Sequence, residues 1–167
     1  MADYWLIDTN LLVDWALFEM DEQYPALALG EVVRGLQYLS LAMYRDYLAE
    51  KLDERRVATS ASVATEVGWV GRRLLRKGGS GPFLESFHRI ATHAKLEIRD
   101  PAFEDVHRLS QAGRFNEQGH TDASLVVLSE RLFAQGHRAT ILTGERALEH
   151  WCAMNNVPAE RFTFEGR

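Results

Sequence analysis

The stretch Tyr4-Trp5-Leu6-Ile7-Asp8-Thr9-Asn10-Leu11-Leu12 decides the fold. Four consecutive apolar residues read as a strand buried on both faces, the pattern of a parallel sheet. An acid closes the strand, and Thr9 or Asn10 can cap a helix from Leu11 through about Phe18. A strand that runs through an acid into a helix is the first half of a βαβ unit. Its reactive groups belong at the carboxyl end of the strand.

The same alternation continues outward. Tyr24-Pro25 breaks the first helix. Leu29 to Leu52 carries apolar residues at spacings of three and four, which predicts one long amphipathic helix or two with a break near Gly35. Val57-Ala58-Thr59-Ser60 reads as a second strand. Ser60 or Ser62 caps a helix from Val63 to about Lys77. Gly78-Gly79-Ser80-Gly81-Pro82 is the clearest loop signal. A helix from Phe83 to about Ala94 and a strand at Leu96-Glu97-Ile98 follow. Asp100 is the expected cap of a helix with Pro101 in its first turn. Then come a helix from about Ala123 to Ala134, a β-branched strand Arg138–Thr143, a helix from about Glu145 to Asn155, and a last strand Arg161–Phe164. Strands separated by helices call for an α/β chain, a three-layer α/β/α sandwich around a mostly parallel sheet. The expected organisation is one domain over residues 1–167, with a long helical insertion at about 21–56.

Composition narrows the function. The chain has 167 residues, 46% hydrophobic and 26% charged, as ordinary globular proteins do. A single cysteine, Cys152, excludes an internal disulfide and a thiolate zinc cluster. Lys+Arg 19 against Asp+Glu 24 gives a net charge of −5, which argues against nucleic-acid binding by bulk positive charge. No signal peptide or apolar span stands out, so the expected compartment is the cytoplasm, with no membrane partner.

Asp8, Glu66, Asp122 and Glu145 all sit at strand-to-helix junctions or helix starts. One acid at a helix N-terminus is ordinary. Four on one edge of a sheet repel one another, and a hard divalent cation removes that conflict. Mg²⁺ or Mn²⁺ suits such oxygen ligands and can activate water for phosphodiester hydrolysis. HExxH, CxxC, GxxxxGK[ST], GxGxxG and GxSxG patterns are absent from the chain.

Four segments carry a resemblance. Leu6-Ile7-Asp8-Thr9-Asn10-Leu11-Leu12 resembles the opening motif of the PIN-domain family. Thr59-Ser60-Ala61-Ser62-Val63-Ala64-Thr65-Glu66-Val67 is similar to the family's second motif. His120-Thr121-Asp122-Ala123-Ser124-Leu125-Val126 resembles the third, and Ile141-Leu142-Thr143-Gly144-Glu145 the fourth. They occur in the family's order. The resemblance implies a metal-dependent ribonuclease, and many stand-alone members are VapC-type toxins of toxin–antitoxin pairs. It implies Asp8, Glu66, Asp122 and Glu145 as metal-holding catalytic acids, with Asn10 and Thr143 in support. The fourth motif usually carries aspartate, whereas this chain has Glu145 followed by Arg146, whose guanidinium could draw the carboxylate away.

Bland alternatives stand beside each role. Asp8 can cap the Leu11 helix, and Asp122 can share a cap with Thr121. Glu66 can be a solvated charge, and Asn10 and Thr143 can serve a turn. Asp14 reads as a surface acid. Arg72, Arg73, Arg76 and Lys77 can track an RNA backbone or form a solvated cationic helix end. Trp69 and Trp151 can stack on bases, although core or interface packing is the stronger expectation. His120, beside Asp122, is the histidine to watch. The Leu29–Leu52 segment can cover the sheet, or serve a homodimer or partner surface.

The expectation is thus a metal-dependent endoribonuclease acting on RNA, with an antitoxin as a partner if it is a toxin. Its rivals are a catalytically inactive RNA- or protein-binding module of the same fold, and a Mg²⁺-dependent phosphatase. The phosphatase is disfavoured because Asp8-Thr9-Asn10 lacks a second acid two residues on.

Overall fold

A computed structural model describes residues 1–27, 42–75, 78–93, 95–112 and 119–163. The element order is β1 (Asp3–Ile7), α1 (Thr9–Gln23), α2 (Ala42–Asp53), β2 (Arg56–Ser60), α3 (Ala61–Leu74), α4 (Ser80–Thr92), β3 (Glu97–Arg99), α5 (Phe103–Gln111), α6 (His120–Ala134), β4 (Arg138–Thr143), α7 (Arg146–Met154) and β5 (Ala159–Arg161). The five strands form one sheet in the order β3-β2-β1-β4-β5, and every pairing is parallel. The chain steps outward from β1 to β3, then crosses back to β4 and β5. Right-handed crossovers place the helices of these two excursions on opposite faces, giving three α/β/α layers.

β1 is central, which explains its unbroken apolar run. Tyr4, Trp5, Leu6 and Ile7 are all buried. Trp5 packs under α2 and the turn after it, with Lys51 Nζ 4.6 Å and the Arg55 guanidinium 3.9 Å from its ring. The register pairs Leu6 with Ala58 on one side and Ile7 with Leu142 on the other. The carboxyl ends of β1, β2 and β4 therefore lie level, so the residues after them share one edge.

Several boundaries differ from the sequence reading. Asp8 itself caps α1, and the helix runs on to Gln23. Ser80, Gly81 and Pro82 form the first turn of α4 rather than a loop. Pro82 fits there because the first-turn N–H groups lack intrahelical partners anyway. Asp100 caps nothing; α5 begins at Phe103 with Ala102 as its cap residue, and Pro101 precedes it. The last strand is Ala159–Arg161, followed by buried Phe162; Phe164 lies outside the described residues. Of the long segment from Leu29, residues 28–41 also lie outside them, and the remainder forms α2.

One glycine fixes how α3 meets α4. A Cβ on Gly71 would lie 2.1 Å from the ring of fully buried Phe83. Only a bare backbone admits that ring.

Candidate functional site at the carboxyl edge of the sheet

Asp8 is 4% exposed and fixed through both carboxylate oxygens. Its Oδ1 accepts from the Leu11 N–H at 3.0 Å, and its Oδ2 accepts from the Thr143 hydroxyl and from the Gly144 N–H at 3.2 Å. Burial pushes its pKa up to about 6, with the Glu145 charge acting in the same direction and these hydrogen bonds opposing it. Asp8 thus caps α1 and at the same time ties β1 to the end of β4. Thr143 is buried, and its Oγ1 also accepts from the Glu145 N–H at 2.9 Å. It therefore joins the ends of β1 and β4 and the start of α7.

The other acids are held by neighbours from the first motif. Thr9 Oγ1 donates to Glu66 Oε2 at 2.6 Å. Asn10 Nδ2 donates to Glu145 Oε1 at 2.6 Å. Glu145 pairs with Asn10 and, among the described residues, has no ion pair with Arg146, so the sequence-based concern about that arginine does not materialise. Asp122 lies in the first turn of α6, half-buried, and Gly119 rather than Thr121 or Asp122 occupies the cap position. Burial first, then the charges of Glu145, Asp8 and Glu66, push Asp122 up to about 7. All three partner acids therefore act on Asp122. The structure brings the four predicted carboxylates into one electrostatic cluster.

A second layer holds the cluster in register. Ser60 caps α3 by accepting from the Val63 N–H at 3.1 Å, and its hydroxyl lies 2.5 Å from the Ser124 hydroxyl. Ser124 in turn donates to the Thr121 carbonyl at 2.5 Å. This buried serine pair ties the start of α3, which carries Glu66, to the start of α6, which carries Asp122. The roles of Ser124 and Thr9 escaped the sequence reading, because a small polar residue next to an acid has no distinctive spacing. Buried Cys152 sits behind the cluster; burial and the Asp122 charge push its thiol up to about 12, so it stays protonated.

Other predicted residues land elsewhere. Arg72 and Arg73 are exposed in the last turn of α3; Arg76 and Lys77 lie outside the described residues. Asp14 is no surface acid. It is buried and accepts from the Tyr44 hydroxyl at 2.5 Å. Trp69 is 62% exposed rather than packed in the core, while Trp151 does pack against it.

The donor set fits a hard cation. Every candidate ligand is a carboxylate oxygen, and Asp122 has no hydrogen-bond donor to offset its charge among the described residues. As the side chains stand, no three His, Cys, Asp or Glu among the described residues form a preassembled ligand group.

No family model and no curated relative matches the chain. A solved structure does: a chain of the crystal structure of VapBC2 from Rickettsia felis bound to a DNA fragment from their promoter. The TM-score is 0.52 at 14% identity, covering 96% of this chain and 99% of that one. The likeness is one of fold. It places the parallel sheet and its helical layers in the architecture expected from the four motifs. No helix among the described residues is long and apolar enough to cross a membrane.

Proposed function

We propose that the chain is a metal-dependent endoribonuclease whose Asp8, Glu66, Asp122 and Glu145 hold Mg²⁺ or Mn²⁺. The observation that carries this reading is the convergence of three carboxylate charges on half-buried Asp122. Such a cluster is costly unless it is protonated or neutralised by a cation. A divalent ion bound there supplies a lowered pKa for its water and positive charge for the leaving oxygen of a phosphodiester. The chain's own part is preorganisation. Thr143, Gly144 and Leu11 aim both oxygens of Asp8, Thr9 holds Glu66, and Asn10 holds Glu145. No side-chain nucleophile is required. The test is cleavage of single-stranded RNA by purified protein with Mn²⁺ or Mg²⁺. Asp8→Asn and Asp122→Asn should each abolish it; identical behaviour of wild type and Asp8→Asn would sink the reading.

The fold shared with a VapBC2 chain supports a toxin role with an antitoxin partner. Expression of the chain alone should then arrest growth, and Asp122→Asn should relieve the arrest. A second reading, a non-catalytic RNA- or protein-binding module, is favoured by the lack of a preassembled three-ligand group among the described residues. Calorimetric titration with Mn²⁺ separates the two, since a module without the metal shows no binding at millimolar ion.

A further inference from the structure

Glu66 lies on one wall of an open groove of about 680 Å³, which also contains Trp69, Arg72 and His120. Glu66, Trp69 and Arg72 fall at helical spacing along α3, while His120 opens α6. Gly68 adds no side chain to the floor. Trp69 is 62% exposed, so part of its ring is open to a ligand in the groove. The Arg73 guanidinium lies 4.9 Å from its centroid and covers part of it. Arg72 has no carboxylate partner among the described residues.

The aromatic surface does not end at the groove. The His120 ring lies 5.7 Å from that of Phe103, which is 65% exposed, and Phe103 stacks on His107 at 5.7 Å with only 9° between the planes. Rings from α3, α6 and α5 thus follow one another, with Glu66 in the groove between the first two. We propose that Trp69, His120, Phe103 and His107 form a stacking track for single-stranded RNA, with Arg72 and Arg73, in the last turn of α3, holding a phosphate beside Trp69. The track rests on the nuclease reading only in taking RNA as its ligand.

Flat π-faces set in series beside an unpaired arginine match a strand of bases on a charged backbone. Glu104 and Arg108 both flank the Phe103 end, so charge there is mixed and the rings are its distinguishing chemistry. The track also answers the acidic composition: affinity comes from stacking and a local pair of arginines, not from net charge.

The test is binding without cleavage. Fluorescence anisotropy of a labelled unstructured RNA is measured with the full chain in EDTA. Trp69→Ala and Phe103→Ala should each weaken binding about tenfold, while Trp69→Phe keeps most of it. Wild-type tryptophan emission should be quenched on titration, and Trp69→Phe should lose that quench. An abasic strand of equal length should bind more weakly than the intact one. Equal affinity of Trp69→Ala, Phe103→Ala and wild type would overturn the track, as would equal affinity for the abasic strand, and would leave this face to a protein partner. Ring-dependent binding by a protein that cuts no RNA under any metal upholds the track and overturns the nuclease. Cleavage with ring-indifferent binding overturns the track alone.

Discussion

Replacing Asp122 by asparagine should stabilise the metal-free protein at neutral pH, and the size and sign follow from the site. Burial and the charges of Glu145, Asp8 and Glu66 raise Asp122 from an ordinary 3.8 to about 7. A carboxyl whose folded pKa lies above its unfolded value contributes stability that is fully present below the unfolded value. That contribution is lost as pH rises through the folded value. Ionising Asp122 in the folded state therefore costs up to about 4 kcal/mol by pH 8, at about 1.36 kcal/mol per pKa unit, less for the part of the group that water reaches. Asp8, raised to about 6, moves the same way. The two acids repel each other, so their costs do not simply add. Urea denaturation followed by tryptophan emission, in EDTA, at intervals from pH 4 to pH 8, reads this directly. The wild type should lose several kcal/mol across that range. Asp122→Asn should match it near pH 4 and exceed it by about 2–4 kcal/mol at pH 8. Millimolar Mn²⁺ should restore the wild type and leave Asp122→Asn nearly unchanged. A wild-type stability that is flat from pH 5 to pH 8 without metal, or an Asp122→Asn protein less stable at pH 8, would refute the reasoning.

Thr143→Val should cost about 1–3 kcal/mol of stability by removing the donor to Asp8 and the acceptor for the Glu145 N–H; it should also lower RNA cleavage at least tenfold, checked by denaturation and single-turnover kinetics. Glu145→Gln should weaken Mn²⁺ binding about tenfold by calorimetry, whereas Asn10→Ala, which only frees the carboxylate, should have a smaller effect. Gly71→Ala should destabilise by about 1–3 kcal/mol, because the new methyl group overlaps the buried Phe83 ring, with no change in Mn²⁺ affinity. Full stability in that variant would mean that α4 yields without cost.

The parallel sheet was legible because β1 writes it plainly: Tyr4 to Ile7 is apolar without interruption, and only a strand covered on both faces needs that. The four acids were legible as neighbours because Asp8 and Glu145 follow strands, Asp122 lies in the first turn of α6 and Glu66 in the second turn of α3, positions that parallel register brings to one edge. What failed was local or long-range in specific ways. The Gly78–Pro82 composition reads as a loop, but Pro82 sits in a helical turn that asks no N–H of it. Asp14 reads as a surface acid, because nothing near it in sequence announces that Tyr44 will come to it from α2. Trp69 reads as core or interface packing, and its exposure excludes only the core. Thr9 and Ser124 carry no signal of their own, since their partners Glu66 and Ser60 are set by the fold.

The bond between Thr143 and Asp8 spans 135 residues of sequence, although the two strands that carry them are neighbours. A ribosome releases β1 long before β4 exists, so for most of synthesis the central strand has an open edge. Closing so long a loop costs entropy that local helices cannot repay, which makes the β1–β4 pairing a late step in folding. Asp8 can acquire its buried setting only when residues 138–144 have emerged and docked. A nascent or truncated chain lacking them has neither the Thr143 hydroxyl nor the Gly144 N–H for Asp8 to accept from, and no Glu145 beside it. The order of the strands thus sets an order of assembly: the acids meet at one edge only after the far end of the chain has folded back onto its beginning.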